Sequence, residues 1–164
     1  MSADDSRPEG FVRVSAALRE CGHPHAPLWL ELAVRTSQEA ADHLGVTVGQ
    51  IAKSVIFKRK SDERAVLVIT SGDKRVDEKK VAALTGAIGR ADADFVKART
   101  GFSIGGVAPL AHSEPPITLI DRELLRFHVV WAAAGHPNGV FALQPAQLEA
   151  LTGGAPVVDV VQAT

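Results

Sequence analysis

Apolar residues recur every three or four positions near the start of the chain and later gather into alternating or continuous runs. Phe11, Val14, Leu18 and Cys21 share one helical stripe between Pro8 and Gly22, which predicts a first helix with Cys21 in the core. His23-Pro24-His25-Ala26-Pro27 is a stiff connector, and Leu28 to Val34 reads as a strand. Thr36-Ser37-Gln38-Glu39 has the form of a capping box and opens a short helix that stops at Gly45. A strand at 51 to 58, a polar turn at 60 to 64 and the apolar run Ala65 to Ser71 predict a hairpin. Asp77 and Asp92 each head a short helix, one running through Leu84 to Gly86 and the other to Gly101. Strands at 117 to 120, 129 to 134, 140 to 143 and 157 to 161 follow, with a turn capped by Asp121 and a helix from Pro145 to Thr152. Strands outnumber helices and follow one another directly. The expected fold is therefore α/β of the α+β type: a mixed, curled or barrel-like sheet of about six to seven strands with short helices outside.

One position breaks the pattern. In Gln50-Ile51-Ala52-Lys53-Ser54-Val55-Ile56-Phe57, both faces of the expected strand are mostly apolar, yet Lys53 sits in the middle. A lysine there either snorkels along Val55 to water or meets an anion, an internal carboxylate or a ligand phosphate.

Length and composition narrow the field. The 164 residues are 46% hydrophobic, enough for one domain with a sizeable core, expected over 1–164 with 1–7 frayed. A single cysteine, Cys21, excludes an internal disulfide and any multi-cysteine metal site and suits a cytoplasmic setting. The polar first ten residues and the lack of a long apolar run give no expectation of a membrane. Net charge is -1, but residues 53 to 99 hold 12 of the 18 Lys and Arg against 7 of the 19 acids. That segment carries either a basic patch or several solvated helix faces.

Motifs for dinucleotides, P-loop phosphates, a nucleophile elbow or a zinc protease are absent. His23 and His25 lie two apart without a nearby acid or cysteine and read as loop rather than a metal site; no metal and no cofactor are expected. What remains is Lys53, the basic pair Lys74-Arg75, the Gly-rich segment Phe102 to Pro109, read as a binding loop or a plain connector, and a histidine turn at 135 to 139.

Five segments in this order resemble the YbaK type of aminoacyl-tRNA deacylase, which includes the editing domain inserted in bacterial prolyl-tRNA synthetases. They are Thr36 to Ala41, Gly49 to Ser54, Gly72 to Asp77, Thr100-Gly101 through Gly105 to Pro109, and Ile120-Asp121. The resemblance runs from about residue 10 to 162. It implies a hydrolase acting in trans on mischarged tRNA, with Cys-tRNA(Pro) the first expectation and Ala-tRNA(Pro) the second. An aminoacyl-tRNA synthetase is a further expected partner.

By the same resemblance, Lys53 is the residue required for activity, at the terminal adenosine. Ser54 and Arg75 contact the acceptor end, the amides of Gly105, Gly106, Val107, Ala108 and Pro109's loop line the pocket, and His136 shapes it. An ester is already labile, so positioned water and oxyanion donors suffice for such a reaction. A non-catalytic module for a tRNA end or nucleotide, and a hydrolase of free amino-acid esters, are the alternatives.

Overall fold

The structure, a computed structural model, describes residues 6–163. The expected fraying at 1–7 falls mainly on residues 1–5, outside the described ones. Arg7 is described, and its guanidinium lies 4.6 Å from the ring centre of Trp29.

Helix α1 (Glu9–Glu20) buries Phe11, Val14 and Leu18 and exposes its opposite face, as its stripe predicts. After β1 (Leu28–Trp29) comes α2 (Ser37–Leu44). Thr36 caps α2 by accepting the Glu39 N–H at 3.1 Å, and Gly45 ends it in the left-handed conformation. A 3₁₀ turn over Val48–Gln50 delivers the chain into β2 (Ile51–Arg59), which turns back as β3 (Ala65–Ser71). Every residue of β3 is buried, which makes it the centre of the sheet. Burying one large aliphatic side chain there stabilises by about 1.5–3 kcal/mol, and Leu67→Ala would cost about 2–5 kcal/mol.

The rest of the chain wraps this hairpin. Helix α3 (Glu78–Thr85), capped by Asp77, leads to β4 (Ile88–Arg90), and α4 (Ala93–Thr100), capped by Asp92, leads to the Gly-rich loop. Then follow β5 (Ile117–Asp121), a 3₁₀ turn over Arg122–Arg126, β6 (Val130–Ala133), β7 (Gly139–Leu143), α5 (Gln147–Leu151) and β8 (Val157–Val158). The sheet is mixed and eight-stranded, in the order β1-β7-β6-β2-β3-β5-β8, with β4 also on β2.

β2 carries the feature that positions the site. It pairs with β3 from Ala52 to Lys58 on one side. On the other side it has two partners in succession, β6 in parallel at Ile51 and Ala52, then β4 antiparallel from Phe57 to Arg59. No strand among the described residues pairs with 53–56 on that side.

Several expectations need correction. Cys21 is exposed, because α1 ends at Glu20 and position 21 is already the cap, turned off the apolar stripe. The strand expected at Leu28 to Val34 keeps its ladder only at Leu28 and Trp29. Beyond them the chain is tied to a turn: Leu30 N–H donates to Asn138 C=O at 2.7 Å and Val34 N–H to Pro137 C=O at 2.9 Å. The last strand shortens to Val157–Val158, with Val161 bridging to Val76. The eighth strand, β4, was not anticipated, since Ile88-Gly89-Arg90 is too short to show a period. No helix among the described residues is long and apolar enough to cross a membrane.

Candidate active site

A cavity of about 360 Å³ opens against the unpaired stretch of β2. Its walls include Lys53, Ser54, Gly105, Val107, Trp131 and Pro137. Five separate parts of the sequence thus meet at one place: the start of α2 with the residues before it, the lysine strand, the Gly-rich loop, β6 and the histidine turn leading into β7.

Lys53 is half-buried, and its Nζ donates to the Lys74 carbonyl oxygen at 2.6 Å. Burial holds the ammonium below its usual pKa, the neighbouring Arg75 adds to that, and Asp73 opposes it. Asp73 is otherwise engaged. Arg126 donates to it from two guanidinium nitrogens, at 2.9 and 3.3 Å, and also to the Ser71 hydroxyl at 2.8 Å. That hydrogen bonding pushes the Asp73 carboxyl below its ordinary value. Ser71 in turn donates to the Gly49 carbonyl, which ties the start of β2 to the end of β3. Among the described residues Lys53 therefore has a carbonyl for a partner and no carboxylate, a cation free to take an external anion.

Lys53 also lines a second depression with Phe57, Arg75 and Gln162. Arg75 is exposed there, its main-chain carbonyl fixed by the Gln162 N–H at 2.8 Å. Ser54 faces the main cavity, and no hydrogen bond holds its hydroxyl among the described residues.

The Gly-rich loop is held by close contacts. A Cβ on Gly106 would lie 2.7 Å from the His136 Cα, so only glycine lets these two turns touch. Gly105 has φ +93°, the left-handed region in which a side chain is strained. Gly106 N–H is committed to the Ser103 carbonyl at 2.9 Å, whereas Val107 and Ala108, both buried, have N–H groups that no protein acceptor takes among the described residues. Val107 reaches the cavity; Ala108 and Pro109 lie behind it. Behind them, His112 Nε2 meets the Ala108 carbonyl at 2.6 Å, and Arg13 Nε donates to the Ala111 carbonyl at 2.8 Å.

His136 packs its backbone on Gly106, but its ring lies 4.9 Å from that of Trp29, and the cavity wall at this turn is Pro137. Its Nδ1 accepts the Asn138 N–H at 3.1 Å, and burial holds its pKa below the usual value. With that lone pair occupied, Nδ1 is not free to take a proton from water.

Among the described residues no three His, Cys, Asp or Glu side chains gather to hold a metal ion. Nothing local in the sequence pointed to the Arg126–Asp73–Ser71 network, whose members come from the end of β3, the loop after it and a 3₁₀ turn 53 residues on from Asp73. Trp131 was likewise missed, as one apolar residue in an apolar strand.

Residues 31–151 match the sequence profile of the aminoacyl-tRNA editing domain. The chain belongs to this family. It is 32% identical over 131 residues to the uncharacterized protein YwhH of Bacillus subtilis, covering 79% of this chain and 83% of that one. Over 95 residues it is 30% identical to the proline–tRNA ligase of a Thermoanaerobacter species, a match to 56% of this chain and only 16% of the ligase. Among solved structures, a candidate trans-editing enzyme for prolyl-tRNA synthetase superposes with a TM-score of 0.88 at 38% identity, over 96% of this chain and all of that one. The editing-domain family and its fold are thus established for this chain, with the expected mixed sheet.

Proposed function

We propose that the protein is a deacylase acting in trans, which releases a wrongly attached amino acid from the 3′ end of tRNA, Cys-tRNA(Pro) before Ala-tRNA(Pro). The observation that carries this reading is Lys53, half-buried, lining the cavity together with Gly105 and Val107, with its ammonium on a peptide oxygen and no carboxylate partner among the described residues. The terminal phosphate or ribose of the acceptor end would supply the missing anion or acceptor, with Arg75 and Ser54 as further contacts.

The chemistry asks little of the side chains. Water adds to the ester carbonyl, the carbon–oxygen bond to the ribose breaks, and the amino acid leaves as a carboxylic acid that ionises. The free Val107 N–H is the loop donor available to the developing oxyanion, and one such donor is worth about 10² to 10³ in rate. Since the His136 Nδ1 is already engaged, the proton from water passes to solvent or to a substrate hydroxyl rather than to that atom. A cavity of about 360 Å³ with mostly apolar walls accepts a small side chain such as cysteine or alanine.

The editing logic follows from the limits of a synthetase pocket, which separates substrates one methylene apart by only about 1–3 kcal/mol. We place the protein in the cytoplasm, where charged tRNA is used, acting as a single editing unit. A synthetase partner would fix the tRNA, because a net charge of -1 provides little attraction for RNA. The test is release of amino acid from Cys-, Ala- and Ser-charged tRNA(Pro) by the purified protein and by Lys53→Ala. Release from one charged tRNA, lost in the variant, supports the proposal. Binding without release points instead to a non-catalytic module.

A further inference from the structure

The interruption in β2's pairing is itself a binding edge. Across the hairpin, Arg59 N–H donates to Arg64 C=O at 2.9 Å, while the next residue, Lys60, donates in the opposite direction to Ala87 C=O at 2.8 Å. The hydrogen-bonding groups of successive residues alternate sides along a strand, so the even-numbered residues of β2 address β6 and β4 rather than β3. The β6 register stops at Ala52 and the β4 register begins at Phe57. Ser54 C=O and Ile56 N–H therefore point into the gap with no protein partner among the described residues, and Ser54 stands on the cavity wall.

The gap excludes a peptide strand. Four residues at about 3.3 Å each span roughly 13 Å, and the edge is closed at both ends by β6 and β4. A flat group fits better. An acceptor followed two residues later by a donor on the same edge matches a ring that carries an exocyclic amine beside an unprotonated ring nitrogen. From this we infer that β2 reads the terminal adenine by its Watson–Crick edge, N6–H donating to Ser54 C=O and Ile56 N–H donating to N1. The base attached to the esterified ribose is the one that must lie beside the ester, which selects adenine over the cytosines before it. Guanine and hypoxanthine present O6 and N1–H instead, reversing both hydrogen bonds and leaving donor against donor.

This inference rests on the deacylase reading, but its test can be separated from it. The ¹⁵N-labelled protein is titrated with adenosine 5′-monophosphate and, in parallel, inosine 5′-monophosphate, two probes with the same ribose and phosphate. Saturable movement of the Ser54 and Ile56 amide resonances with the adenine nucleotide, and affinity for the inosine nucleotide lower by about tenfold or more, is expected. Equal affinities, no movement at these two amides, or no binding of either nucleotide at millimolar concentration overturns it. A second measurement compares release of alanine or cysteine from tRNA(Pro) ending in adenosine and in inosine, with kcat/KM for the inosine-ended substrate reduced at least tenfold. If even the adenosine-ended tRNA is not deacylated, the hydrolase proposal fails, and the nucleotide titration alone decides on the base site.

Discussion

Arg126 grips Asp73 with two guanidinium nitrogens, at 2.9 and 3.3 Å, and so engages the carboxylate whose charge acts on Lys53. The consequence is a cation whose nearest partner is a peptide oxygen. A group so placed is costly to the fold and useful to a ligand.

Removing Arg126 should release Asp73 to Lys53. Arg126→Ala is expected to lower deacylation several-fold although Arg126 stands outside the cavity, and adding Asp73→Asn should recover much of the loss. Steady-state kinetics of the single and double variants check this coupling, with non-additivity as the signature. Independent, additive losses would show that Asp73 does not compete for Lys53.

Lys53 itself separates function from stability. Lys53→Met is expected to abolish release, by about 10² or more, while leaving the thermal midpoint unchanged or higher at pH 7. The sign follows from its pKa, lowered in the fold chiefly by burial. The unfolded chain holds that proton more tightly, so the charged lysine costs stability at neutral pH, and the cost is relieved as pH rises through the folded value towards 10.5. Activity that needs the ammonium should fall as pH rises through the same lowered value. Paired melting curves and pH–rate profiles of wild type and variant test both statements.

Gly106→Ala should damage the loop. The added Cβ would sit 2.7 Å from the His136 Cα and 2.9 Å from its nitrogen, backbone atoms that cannot swing aside. A loss of about 1–3 kcal/mol in urea unfolding and a kcat reduction with little change in KM are expected, because the Val107 N–H moves with the loop. Gly105→Ala clashes with nothing close, and its cost comes from φ +93° alone.

Acid should loosen the back of the same loop. His112 and His136 both have pKa values held below 6.5, by burial in each case, and Arg13 further disfavours charge on His112. Below 6.5 the unfolded chain takes up protons that the folded one resists, so stability falls as pH drops towards the folded values. His112 Nδ1 is buried without a partner among the described residues and has no acceptor there if protonated. His112→Gln, which keeps a donor for the Ala108 carbonyl, should flatten the dependence of melting temperature on pH between 6.5 and 5. An unchanged slope would assign the effect to other groups.

Local chemistry determined much of this protein. The cap at Thr36 and the caps at Asp77, Asp92 and Asp121, the glycine stops, the 51 to 71 hairpin and the oddity of Lys53 all depend on residues a few positions apart, and each could be read from the sequence. The Gly105 to Pro109 loop was legible as a motif. Its tightness was not, because Gly106 is required by His136, thirty positions away. The same limit explains Cys21, whose side depends on where α1 stops, and β4, three residues that form a strand only because β2 offers them an edge. That Lys53 meets a carbonyl rather than a carboxylate, which loop amides stay free and where β2 is left unpaired are decided by contacts between distant segments. Periodicity carries no information about such contacts, and only the folded chain fixes them.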